Sequence, residues 1–375
     1  MLSWSAAVLV FLGSASTWDA AGPAHAAVSN RYGSTSELEQ CFARARTQEQ
    51  EASALGKKLH ALGLKNFPEL FELGALGSMG SLELESEAEH RAVFEALCAF
   101  PPSTLGSQLE RVTTSLETEA GRLYGLDVLT QSGTASEVDD AFRIAAWAGL
   151  DSEPNVEERI ISRGVRVALA GFLRVSFDRE EDLTRTKVLD GFSSVPLALT
   201  STLVDTLAEQ YGRRNFLALA DLVLRRSELD PYLLVVLSRE AGGLALPVPE
   251  RVLSRVRACL DSAKTEEVRA LSIRLLGRLE DEESLPVFLG ELVSESSLLS
   301  DAALDALRAC TGRKYGRNPR SWRSWIRSEE RWWAERSQEV LVQVCDGRGG
   351  SITQAIQAVA HRRLRRHELA QHLEC

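Results

Sequence analysis

Three things are scarce in this chain, and each scarcity narrows what it can be. Aromatic residues make up only 6% of its 375 residues, so a platform for stacked nucleobases can form only where those few rings gather. Cysteine occurs at six positions, Cys41, Cys98, Cys259, Cys310, Cys345 and Cys375, and never as C-x-x-C. That spacing signals neither a zinc ribbon nor a thioredoxin-like redox site. An oxidising compartment would allow pairing. Yet Cys98, Cys259 and Cys310 fall at apolar helix positions, where a thiol serves as a small hydrophobe. Long apolar runs are also missing. After Asn30 no stretch reaches the roughly 18 uncharged residues of a membrane-spanning helix. Positive charge is in deficit too: the formal net charge is −10, which argues against general nucleic-acid binding, since that needs many phosphate-neutralising cations.

Catalytic motifs are equally sparse. No G-x-S-x-G occurs, and Gly74, Gly77 and Gly80 are not followed by Gly-Lys-Ser/Thr, so no phosphate-binding loop is indicated. His367 and His372 resemble a zinc-protease pair but stand five apart. Five steps place them on different helix faces, where a shared metal needs four. Asp178 to Asp182 is an acidic run without the alternating ligands and central glycine of a calcium loop. No catalytic residue, metal ligand or cofactor is assigned.

What is present is helix. Leu, Ala, Val, Glu and Arg dominate, a composition that favours helices over strands. The opening MLSWSAAVLVFLGSASTWDAAGPAHA holds a short apolar run and an A-x-A site at Ala24 to Ala26. It reads as a secretory signal over residues 1–26, although no basic residue precedes the apolar run. The expected location is the periplasm or the exterior.

Thr265 to Val293, TEEVRALSIRLLGRLEDEESLPVFLGELV, predicts a helix, a polar turn and a second helix. Thr265 is placed to cap, and Val268, Leu271, Leu275, Leu276 and Leu279 share one face. Leu285-Pro286 opens the partner helix, with proline tolerated in a first turn. A similar run starts at Thr118, and plausible first-helix starts at Thr118, Asn155, Ser194, Asp230, Thr265 and Ser296 step by 31 to 39 residues. Helix pairs at such a period predict an all-α fold, an α-α superhelix in which each hairpin covers its neighbour's apolar face. The expected divisions are an N-terminal helical segment over 27–102, repeats over 103–336 and a C-terminal helical tail over 337–375. Ala54 to Leu73 reads as a degenerate pair, Gly74 to Gly80 as a loop, and no strand pattern is evident.

Two stretches carry a family resemblance. VRALSIRLLGRLED with LPVFLGELV resembles a HEAT repeat. LRACTGRKYGRNPRSWRSWIRS is similar to an ALxxLTGxxYGxDPxxWRxWW signature of bacterial exported HEAT-repeat proteins, with Asn318 in place of the usual Asp and Ile326 in place of a Trp. The resemblance implies a solenoid and transfers no catalytic residues. HEAT-like bilin lyases are an enzymatic branch that no residue pattern here selects.

The aromatics do gather in one place. Trp322, Trp325, Trp332 and Trp333 lie in SWRSWIRSEERWW. With Asn318 as cap and Pro319 as first helical residue, the four indoles and Ile326 fall within about 120° of one another. Arg320, Arg323, Arg327 and Arg331 fall on the other side. Buried packing of the Trp stripe is expected, because a stacking platform needs rings and cations exposed together. With Arg313, Lys314 and Arg317 the arginines form a basic patch on an acidic chain. A second basic run, His361 to His367, is a candidate to extend it. The sequence therefore suggests a non-catalytic scaffold that binds a protein or an anionic cell-envelope polymer. An enzyme or accessory subunit with a pocket between helices is the rival reading, and a purely structural envelope module the third.

Overall fold

The computed structural model describes residues 36–48, 51–116, 118–146, 163–210, 213–243, 248–346, 351–360, 362, 364 and 365. The proposed leader, the helix start at Asn155, and His361, Arg363, His367 and His372 lie outside the described residues. The fold is all-α. The exceptions among the described residues are short: 3-10 turns, and one antiparallel pair of two-residue strands, β1 (Ser78–Met79) and β2 (Leu82–Glu83), with Ser78 opposite Glu83. The loop expected at Gly74 to Gly80 is thus corrected. The helix over Phe67–Leu76 runs on through Gly74, and Gly77 and Gly80, both at positive φ, make the turns that let two strands pair.

The chain divides into two compact units at Phe172/Leu173. The first contains α1 (Ser36–Thr47), α2 (Ala52–Ala61), α3 (Phe67–Leu76), α4 (Glu87–Cys98), α5 (Pro102–Leu116), α6 (Glu119–Ser132) and α7 (Val138–Ala146). Each helix packs on its successor or on the one after it: α2 on α4, α4 on α6, α3 on α5, α5 on α7. Helix α3 also packs on α6. Phe67, Leu70, Phe71, Val93, Leu97, Leu105, Leu109, Leu126 and Leu129 fill the space between these helices. Thr118 caps α6 by accepting the Gly121 N–H at 3.0 Å. Arg46, near the end of α1, binds the β2 carbonyl of Glu83 at 2.6 Å and the Glu89 carboxylate at 2.7 and 3.0 Å. Burial opposes the charge on Glu89. The hydrogen bonds from Arg46 and from the backbone N–H of Glu85 outweigh it and hold the carboxyl below the ordinary glutamate range.

Helix α8 (Arg163–Gly191) leaves helical geometry at Glu180, where φ is −144° and ψ 69°. The second unit continues with α9 (Leu197–Glu209), α10 (Arg213–Leu222), α11 (Asp230–Glu240), α12 (Glu250–Asp261), α13 (Glu266–Arg278), α14 (Leu285–Glu291), α15 (Ser297–Thr311), α16 (Pro319–Asp346) and α17 (Ser351–Ala360). The alternation recurs: α9 on α11, α10 on α12, α11 on α13, α13 on α15. Thr265 caps α13, its hydroxyl accepting the Val268 N–H at 3.3 Å. Pro286 sits in the first turn of α14. Ser194 does not start a helix. The chain turns there, and α9 begins at Leu197 behind Pro196, which cannot donate a backbone hydrogen bond.

Helices α13 and α15 approach backbone to backbone. Gly277 faces Ala306, and a Cβ at Gly277 would lie 2.4 Å from the Ala306 Cα. A methyl there would meet backbone rather than a movable side-chain tip. Gly277→Ala is therefore expected to destabilise the chain by about 1–3 kcal/mol. Gly290→Ala in α14, where nothing lies within 4 Å, should stabilise it by up to about 1 kcal/mol. Urea unfolding of both variants measures this; equal effects at the two glycines would contradict the close approach.

Candidate functional site

Helix α16 starts where its sequence says. Asn318 Oδ1 accepts the Arg320 N–H at 3.0 Å, satisfying one of the free donors of the first turn. Pro319 occupies the position where a missing N–H costs nothing. From there the helix is two-faced.

One face is aromatic and buried. Trp322 is fully buried, and Trp325, Trp332 and Trp333 are at most 9% exposed. The Trp322 indole N–H donates to the Gly316 carbonyl at 2.8 Å, and its ring stands edge-on to Tyr315 with centroids 5.0 Å apart. This explains why the loop Gly312 to Asn318 and the helix must occur together: the loop supplies the acceptor, the helix the donor. Trp332 and Trp333 pack with Val340 and Leu341 of the same helix and with Ala355 and Val359 of α17. The Arg362 guanidinium lies over Trp332 at 4.3 Å, and that of Arg365 over Trp333 at 5.6 Å. Such contacts contribute on the order of 0.5–2 kcal/mol each. Arg362 also pairs with Glu329 at 2.9 Å, and the Glu329 side chain is only 3% exposed. A buried carboxylate requires such a partner. Arg362 therefore belongs to the aromatic side of α16, so the second basic run does not extend the cationic face through this residue. Glu282 accepts a hydrogen bond from the Arg365 backbone N–H.

The opposite face is cationic and open. Arg320, Arg323, Arg327 and Arg331 are all exposed, and none has an ion-pair partner among the described residues. The other cations of the patch differ. Arg317 pairs with Asp301. Arg313 is exposed and lies over Trp325 at 5.4 Å. Lys314 is exposed. The patch thus resolves into four unengaged arginines on one helix and three residues in the loop ahead of it. A guanidinium presents its N–H donors as a planar fork that matches phosphate or carboxylate oxygens two at a time.

Elsewhere burial shifts several titratable groups, and it raises the Asp127 carboxyl to about 6. Burial, with the neighbouring charge of Asp230, pushes the Cys259 thiol up to about 11; burial also pushes the Cys310 thiol upward. Neither supplies a thiolate at neutral pH. Cys41 forms no disulfide among the described residues, and the Cys98 thiol donates to the Val128 carbonyl at 4.0 Å; the side chains of Cys345 and Cys375 lie outside the described residues. His60 packs edge-on against Phe100 at 4.5 Å. Among the described residues no group of three or more His, Cys, Asp or Glu side chains could hold a metal ion, and no helix is long and apolar enough to cross a membrane. No protein-family model matches the chain, and no curated protein matches it.

The two faces of α16 should respond oppositely to truncation. Trp322→Ala removes a fully buried indole and is expected to cost about 3–5 kcal/mol. Arg323→Ala should stay within about 0.5 kcal/mol, as exposed substitutions do. Thermal and urea unfolding decide this; a tolerated Trp322→Ala would show that the stripe is not core.

Proposed function

We propose that the chain is an exported, HEAT-like helical-repeat scaffold that binds another macromolecule and carries out no chemistry itself. Three features support the reading: the leader-like N-terminus, the LRACTGRKYGRNPRSW stretch, and the stacking of helices on neighbours one and two positions along within each unit. Repeats that cover one another's apolar faces leave long outer surfaces for partners. The observation that carries the binding role is the row Arg320, Arg323, Arg327 and Arg331, exposed and without ion-pair partners among the described residues, on a chain of net charge −10. Unpaired cations held on one rigid helix attract anionic partners and speed their encounter. The partner is a protein or an anionic polymer of the cell envelope.

The test uses the native envelope fraction. Tagged wild-type chain, crosslinked there and identified by mass spectrometry, should retain a partner at low salt and release it as salt rises. The double reversal Arg323→Glu, Arg327→Glu should lose at least about tenfold of the retained material while leaving the unfolding midpoint unchanged. Equal retention by wild type and variant would remove the cationic face from the proposal.

A further inference from the structure

The arginine face also restricts what kind of anion fits it, and this step rests on the binding role proposed above. Arg320, Arg323, Arg327 and Arg331 follow one another along the outer side of α16, with exposed Ser324 and Ser328 beside them. Glu329 is turned inward and held by Arg362. Glu330, also exposed, sits at the rim of this face by helical rotation. At the rise of an α-helix, successive arginines stand about 4.5, 6 and 6 Å apart along the axis. The cations form a single file roughly 16 Å long.

Two kinds of anionic partner fit this face poorly. A specific interface with a folded protein has an apolar or aromatic centre inside a polar rim. On α16 the large apolar side chains from Trp322 to Leu341 are buried or half-buried; the nearest exposed ones are Leu298 and, towards the C-terminal end of α16, Val342. A nucleic-acid strand bound through its bases needs exposed rings, and the four indoles are inside. A chain with one anion per repeat and no need for a stacking ring fits the row. We infer that the outer face of α16 docks a linear phosphodiester polymer and reads its phosphates. The guanidinium forks take phosphate oxygens in pairs, and the Ser324 and Ser328 hydroxyls donate between them.

The probe is a fluorescent abasic oligodeoxynucleotide dodecamer, which has the phosphodiester chain without bases, titrated into the full chain by anisotropy. Four phosphate contacts on a single strand give a slope of log affinity against log salt of about −3. Affinity should then fall about fiftyfold between roughly 50 and 200 mM salt. Arg323→Gln, Arg327→Gln removes two contacts, and the same change of salt should then cost only about sevenfold. Circular dichroism melting confirms that this variant is folded. An oligothymidylate dodecamer should bind within about twofold of the abasic strand. Binding at least tenfold tighter would show base stacking and overturn the base-free reading. Polyglutamate of equal charge binding as tightly as the abasic strand would overturn the assignment to phosphate, as would no binding at the lowest salt. If the abasic strand fails to bind while Arg323→Glu, Arg327→Glu still releases the native partner, the docking face stands and the phosphodiester class falls. If neither assay responds to the arginines, both fall.

Discussion

Every helix of this chain has a side that it cannot cover alone, and that deficit organises each unit. A two-helix hairpin buries the seam between its own helices and leaves the outer apolar flank in water. Packing α11 on α13 and α13 on α15 removes that flank from solvent, and Leu233, Leu237, Ile273, Leu276, Ala303 and Leu307 are all fully or almost fully buried as a result. The same logic links α2, α4 and α6 in the first unit. Approach distance is set by small residues, as where Gly277 meets Ala306.

The last long helix meets the deficit differently. α16 carries indoles, and each buried aromatic takes about 150–250 Å² out of water. Its cover is local. Tyr315 and the Gly316 carbonyl close over Trp322, and α17 with Arg362 and Arg365 closes over Trp332 and Trp333. With its inner side fixed so firmly, the helix can hold charged residues outward without partners. The proposed binding role rests on this division: a buried inner stripe presents an open row of cations at regular intervals.

Much of this was legible in sequence because it depends on short-range spacing. The Thr265 cap, the polar turn and the Leu285-Pro286 start of the next helix are local signals, and they appear as α13, the short turn and α14. The angular separation of tryptophans from arginines needed only the helix period once Asn318-Pro319 marked the start. What escaped was non-local or finely balanced. Glu329 finds Arg362 across 33 positions, and nothing in either segment announces the other. The two-residue strands at Ser78 and Leu82 are too short to show alternation. The break at Glu180 lies within a charged run with no proline or glycine to mark it. The start of α9 moved from Ser194 to Leu197 because Pro196 governs it.

The division of α16 into a buried aromatic side and an open cationic side is tested most directly by residue-level footprinting with and without material from the envelope fraction. A dicarbonyl reagent should modify Arg320, Arg323, Arg327 and Arg331 readily in the free chain and lose access to them once the partner is bound. Trp322 should resist oxidation in both states. Oxidation of Trp322 at the rate of a free indole, or arginine labelling that bound material leaves unchanged, would contradict the division and the binding role built on it.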